Sequence, residues 1–143
     1  LGDALASFLD VAKDGSYVAV QAYLPPSEDT GAALDGLRTK IRDSRRIAVT
    51  CGYGPRYLHS TGQLHKGDAG RGLFLQLTCA SPEDLAIPDE PGSKNSSISF
   101  GTLKSAQALG DLNALVEKGR KVLRLHILGN DIPEAVRRIT GVI

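Results

Sequence analysis

A chain of 143 residues is one domain's worth, long enough to bury about 68–70% of the surface its unfolded form exposes. Hydrophobic residues make up 41% and charged residues 23%, ordinary globular values that favour neither disorder nor a fibrous class. Seventeen basic against sixteen acidic residues leave a formal net charge of +1, which supplies no long-range field to gather polyanions and argues against nucleic acid as a partner. No apolar run approaches the roughly 18 residues of a membrane span. Leu1 to Lys13 also lacks the basic-then-apolar order of a signal peptide, so no membrane partner and a cytoplasmic setting are expected. The chain opens on leucine rather than methionine, which points to an excised domain.

In chain order, Leu5, Phe8, Leu9 and Ala12 share one face of a helix predicted over Asp3–Ala12, with Asp14-Gly15 as its stop. Tyr17–Leu24 (YVAVQAYL) is apolar almost throughout and predicts a strand buried on both faces, ended by Pro25-Pro26. Ser27 can cap the next helix. Glu28 and Asp29 in its first turn and Arg42, Arg45 and Arg46 near its end suit the dipole, and Ala33, Leu34, Leu37 and Ile41 form its buried stripe.

Three more buried strands are expected at Ile47–Cys51, Leu73–Thr78 and Val122–Leu128. Cys51 and Cys79 each close such a run and read as buried thiols. Ser81–Asp84 reads as a capped helical turn and Pro88–Ser97 as a mobile, breaker-rich loop. A helix from about Thr102 to Lys118 should turn Leu103, Ala106, Leu109, Leu112 and Val116 inward, with Gly119 to end it. Asp131, Pro133 and Glu134 carry the cap, early proline and N3 acid of a last helix. Buried strands separated by helices predict a single α/β domain over residues 1–143, a three-layer α/β/α sandwich with a mainly parallel sheet. Such sheets bind ligands beyond the carboxyl ends of their strands.

Cys51–Gly72 packs glycines, two histidines and three cations between two of those strands, and a loop of that length is either functional or conceals a short helix. Pro55 would open such a helix, placing His59 and Gln63 on one face and turning Leu58 and Leu64 inward. His59 is then presented at the ligand edge, and imidazole suits proton transfer near neutrality; the alternative is a surface histidine. His65 lies round the helix from His59 and reads as structural, as does His126 within the fourth strand. The spacing of His59, His65 and the cysteines suits no zinc site. Gly67, Gly70 and Gly72 with Lys66 and Arg71 have the composition of a phosphate-cradling turn but lack the Lys-Ser/Thr ending of a P-loop. Lys104 stands near the start of its helix, on a face with Gln107, Ala108 and Asp111; most such lysines are solvated, yet the positive end of a helix disfavours an ammonium.

The string Gly54-Pro55-Arg56-Tyr57-Leu58-His59-Ser60-Thr61-Gly62-Gln63-Leu64-His65-Lys66-Gly67 resembles the segment of phosphoglucose isomerases that carries the ring-opening histidine, in the version found in transaldolase and phosphoglucose isomerase fusions. Phe100–Asp111 (FGTLKSAQALGD) resembles the lysine-bearing helix of that fusion family, and Tyr17–Pro26 its preceding strand; together the likeness runs from about Leu1 to Leu128. The Gln-x-Gly-Val-Glu-x-x-Lys ending of stand-alone members is absent.

The resemblance implies a sugar-isomerase (SIS-like) domain contributing to the interconversion of glucose 6-phosphate and fructose 6-phosphate through an enediol, with no metal or organic cofactor. His59 would protonate the ring oxygen and Lys104 handle the proton on the first-carbon hydroxyl, with Gly54, Arg56, Ser60 and Gln63 against the substrate. The family's proton-shuttling glutamate and its Ser/Thr-rich phosphate loops, carried by an amino-terminal subdomain, are not identifiable. Glu28, Glu83, Glu90, Glu117 and Glu134 all fall at caps, loops or exposed helix ends. The chain is therefore expected to be a carboxyl-terminal half, inactive alone. Its expected partners are a sugar phosphate, the missing subdomain, a transaldolase domain upstream and a second copy. A non-catalytic sugar-phosphate module and a protein-interaction domain are the alternatives.

Overall fold

The computed structural model describes residues 1–81 and 83–143 and contains the elements α1 (Gly2–Asp10), β1 (Tyr17–Tyr23), α2 (Glu28–Arg45), β2 (Ala48–Tyr53), α3 (Thr61–Gly67), β3 (Gly72–Cys79), β4 (Ala86–Ile87), β5 (Ile98–Ser99), α4 (Phe100–Glu117), β6 (Lys121–Ile127) and α5 (Ile132–Gly141). Four strands form one sheet in the order β2-β1-β3-β6, every neighbouring pair parallel. β1 sends the chain to β2 on one side while β3 adds on the other, so the carboxyl ends of β1 and β3 flank the switch point where open α/β sheets take their ligands. The fold is the expected three-layer α/β/α sandwich.

Alternation along the strands sorts the two helix layers. Val18, Val20 and Ala22 of β1 and Leu73, Leu75 and Leu77 of β3 face α1, α2 and α5, which contribute Leu5 and Leu9, then Ala33, Leu34, Leu37 and Ile41, then Ile132, Val136 and Ile139. Fully burying Leu37 or Ile41 contributes about 1.5–3 kcal/mol each. The helix signals read from the sequence operate here: Ser27 Oγ accepts from Thr30 N at 3.1 Å, and Asp131 Oδ1 from Glu134 N at 3.0 Å.

The opposite face is apolar at the amino ends of the strands, where Ala19, Phe74 and Leu115 pack, and polar toward their carboxyl ends. Gln21, Gln76, Thr78 and Tyr23 project from β1 and β3 toward α3 and α4 and are buried there. This is why α4 sits differently from expectation. Its buried residues are Gly101, against Asp84, and Ala108, Asp111 and Leu115, whereas Leu103, Leu109 and Val116 are exposed. Small residues let the helix approach closely enough for Gln76 Nε2 to donate to Ala108 O at 3.0 Å, a bond that a leucine-lined face would have obstructed.

β2 and β6, expected to be buried on both faces, are the sheet's edges and each carries exposed positions. Cys51, expected to be buried, is exposed on β2, while Cys79 is buried on the central β3. Of the helical turn expected at Ser81–Asp84, residue 82 lies outside the described residues, and Glu83 and Asp84 are not helical. The loop after it is closed by a hairpin that the sequence reading missed, with Ala86 opposite Ser99 and Ile87 opposite Ile98.

Candidate functional site

β2 leads into a run of turns over residues 54–60, and α3 begins only at Thr61, so the helix expected from Pro55 is absent. Leu64, expected to pack inward, is 65% exposed. The buried anchor is Tyr57. Its carbonyl accepts from Ser60 N and Gly62 N, both at 2.9 Å, and its ring lies edge-on to Tyr23 with centroids 6.1 Å apart. Its hydroxyl donates to Asp111 Oδ2 of α4 at 3.0 Å. Burial pushes the Tyr57 phenol far above its ordinary range and raises that of Tyr23 to about 12.

With Tyr57 pinned, His59 stands exposed at the carboxyl end of the sheet, not on a helix. Arg56 is also exposed. Ser60 Oγ donates to Tyr57 O at 3.1 Å and Gln63 Nε2 to Leu58 O at 3.4 Å, so both brace their own segment. Gly54 lies flat on the Tyr23 ring, where an added Cβ would meet three ring carbons at 2.5–2.7 Å. Gly54→Ala is therefore expected to lower stability by about 1–3 kcal/mol, measured by denaturant unfolding; an unchanged midpoint would show that this close approach is not a constraint.

Behind the turns lies a buried polar layer. Lys66 Nζ reaches Asp111 Oδ1 at 3.1 Å, with the Asp111 side chain 1% exposed and that of Lys66 25% exposed. Asp68 receives Gly70 N, Gly72 N and the Tyr17 hydroxyl and pairs with Arg120 at 3.2 Å; burial works against its charge, but these bonds hold its carboxyl below the usual range. His65 is buried among the rings of Tyr17, Tyr57 and Phe74, and Gln21 Nε2 lies 3.5 Å from its Nδ1. Burial lowers its pKa, with Lys66 adding to that and Asp111 and Asp68 opposing it.

Since the folded His65 resists protonation, the unfolded chain binds more protons below about pH 6.5, and stability should fall as pH drops through that value. His65→Phe is expected to flatten the slope of unfolding free energy between about pH 7 and 5 while leaving the steeper loss at lower pH, where Asp68 titrates. An unaltered slope in that window would assign it to another group.

Lys104 is half-buried on the sheet side of α4. It lines a small chamber of about 30 Å³ at the carboxyl ends of β1 and β3, together with Tyr23, Thr78, Cys79, Arg124 and His126. His126 is exposed on the edge strand, its Nδ1 3.0 Å from Thr78 Oγ1. Burial raises the Cys79 thiol, and the nearby Lys104 charge pulls the other way.

His59 and Lys104 share no bond and line no common cavity among the described residues, but Tyr57, two residues before His59, is tied to Asp111, seven residues after Lys104. The Tyr23 ring touches Tyr57 on one side and lines the Lys104 chamber on the other. The Tyr57–Asp111 bond thus ties the turns that carry His59 to the helix that carries Lys104 at one rim of the sheet. Sequence reasoning missed Tyr57, Asp111 and Arg124. An aspartate two turns after Lys104 on one face was the signal for Asp111; nothing marked Arg124 beyond its place in a strand. Among the described residues no group of three or more His, Cys, Asp or Glu side chains is arranged to hold a metal ion, and no helix is long and apolar enough to cross a membrane.

No family model matches the chain, and no curated protein does. Among solved structures, the crystal structure of the hypothetical protein TT0462 from Thermus thermophilus is similar, with a TM-score of 0.67 at 21% identity. The likeness covers 99% of this chain and 36% of that one, so the chain spans just over a third of that neighbour's length. At such identity the likeness extends to the fold alone.

Proposed function

We propose that this chain is the part of a phosphoglucose isomerase that supplies the ring-opening histidine and the lysine, and that it interconverts glucose 6-phosphate and fructose 6-phosphate only with an amino-terminal sugar-isomerase subdomain. The observation that carries the reading is the 3.0 Å bond from the Tyr57 hydroxyl to Asp111, because it ties the histidine-bearing turns to the lysine-bearing helix beside the switch point of a parallel sheet. His59 would donate a proton to the ring oxygen, and Lys104, at the chamber beneath, would move the proton on the first-carbon hydroxyl. The base that carries hydrogen between the two carbons would come from the partner subdomain, since no glutamate among the described residues lines the chamber.

The test is a coupled assay of fructose 6-phosphate conversion with the 143-residue chain alone and after addition of the upstream segment of a transaldolase fusion enzyme. Turnover appearing only on addition supports the reading. Binding of fructose 6-phosphate with no turnover in either sample would leave a sugar-phosphate-binding module in its place.

A further inference from the structure

β6 is the outer strand of the sheet beyond β3, so one of its edges is free. The backbone N–H and C=O groups on that edge point away from β3, and a bare row of that kind is a template for pairing. Both helix layers leave a trough beside it. On the α4 side the trough is about 540 Å³, with Leu109 of the helix and Arg124 of the strand in its lining. Val116, two turns further along α4, continues the Leu109 flank, and the two residues are 49% and 57% exposed. On the α5 side a second trough of about 530 Å³ is walled by Leu125 and Ile127 of the strand, Ala135 and Ile139 of α5, and Leu128, which is 84% exposed. Arg124 lines both, so the two troughs meet across the free edge. An extended segment laid there would find backbone partners along one side and apolar contacts on both faces, the surroundings of an inner strand of a parallel sheet.

Charge narrows what that segment carries. Lys121, Arg124 and His126 are the polar side chains of β6 and all are exposed. Neither Lys121 nor Arg124 forms an ion pair among the described residues. The acids that line the troughs are engaged elsewhere: Glu134 pairs with Arg137 and Arg138, and Asp131 caps α5. Asp84, at the amino end of α4, accepts from Gly101 N and Ser99 Oγ and feels the Lys104 charge. An acidic side chain is therefore what the middle of the edge lacks. A second copy of β6 would not supply it. Arg124 is the central residue of β6, so the two-fold antiparallel pairing that uses the whole strand sets Arg124 opposite its own copy, and like charges directly opposite destabilise a ladder.

We propose that the free edge of β6 takes an extended segment of a partner protein as a fifth strand of the sheet. Its side chains alternate, so that apolar residues fill the trough on the α5 side while an acidic residue on the other face meets Arg124. Backbone pairing supplies the affinity, and the acid selects this partner over a second copy of the chain. Arg124 is exposed on an edge strand, so replacing it leaves the core intact.

The probe is a short blocked peptide of alternating threonine and valine with a central threonine replaced by glutamate, beside a version with lysine at that place and one with alternate amides N-methylated. Backbone amide resonances of the 143-residue chain would be followed as each is added. Expected with the glutamate peptide are saturable shifts along Lys121–Ile127 and at Leu109 and Val116, with slowed hydrogen exchange in β6; the N-methylated peptide, which cannot donate to the ladder, should give none. Arg124→Glu should weaken the glutamate peptide about 3- to 10-fold and strengthen the lysine peptide. Absent shifts, equal shifts with the N-methylated peptide, or an unchanged preference in Arg124→Glu would overturn the proposal. Shifts at β6 that grow with protein concentration when no peptide is present would put a second copy on the edge and overturn it as well. Because the titration reads binding and not turnover, its result is separate from that of the isomerase assay.

Discussion

Lys66→Met is expected to cost about 3 kcal/mol of folding free energy, more than its surface-facing stem suggests, because the carboxylate it leaves behind is almost wholly out of water. Asp111 would keep the Tyr57 hydroxyl at 3.0 Å but lose the ammonium at 3.1 Å that balances its charge. Truncating one member of a buried pair typically costs about 3–5 kcal/mol, and the partial exposure of Lys66 places this case at the lower end. For a chain of this length the change corresponds to a fall in melting temperature of roughly 10 °C. The double variant Lys66→Met/Asp111→Leu removes both charges and should be clearly more stable than Lys66→Met alone. A double variant no better than the single one would mean that the pair matters through packing rather than charge.

The second large effect is kinetic. Under the proposed function, with the upstream segment added, His59→Ala is expected to lower kcat/KM for fructose 6-phosphate by about 10²–10⁴-fold, the usual contribution of a positioned acid or base. The same substitution should leave stability within about 0.5 kcal/mol, since His59 is exposed and makes none of the hydrogen bonds that brace its turns. Steady-state kinetics beside thermal unfolding of the same variant separates the two. A variant that loses less than tenfold would remove His59 from the chemistry; one that loses stability along with activity would give it a structural part.

The central strands were legible because burial on two faces writes itself as an unbroken apolar run, as in Val18 to Ala22 and Leu73 to Leu77. An edge strand such as β6 can carry nearly the same run, since one face and half of the other still meet helices; VLRLHIL therefore read as buried although Arg124 and His126 look outward. The caps of α2 and α5 were legible residue by residue, because an N-cap is a local contact among neighbours. The orientation of α4 was not, and the cause lies elsewhere in the chain. A helix normally turns its leucines to the sheet, but the sheet face below presents Gln21, Gln76 and Thr78, and α4 buries the small Ala108, whose carbonyl takes the Gln76 amide, and Asp111 on that side. Hydrophobic periodicity reports the helix and is silent on what its partner surface demands.

The candidate site divides in the same way. His59 and Lys104 stood out as residue types with chemistry to offer. Tyr57 and Asp111 did not, since their importance is a contact across 54 residues of sequence, and the strand position of Arg124 concealed that its strand is the edge of the sheet. Four residues near His59 that resemblance marked as substrate-facing take different places in this fold. Gly54 packs on Tyr23, and Ser60 and Gln63 bond to their own backbone, leaving Arg56 as the one that faces solvent without such a bond.

The loop between β4 and β5 also fixes where this protein could be divided. Its tip, Gly92, has a φ of +82° and no atom near its missing side chain, and its neighbours are exposed polar residues, the kind of place where a chain tolerates a break. A cut there separates Tyr57 and His59 on one fragment from Lys104, Asp111 and Arg124 on the other. The fragments would find each other through the β3–β6 ladder and the packing of α5 on α2, and only their union would bring the histidine turns to the lysine helix. The fold thus lends itself to a two-component reporter in which reassembly of the halves and completion of the site are one event.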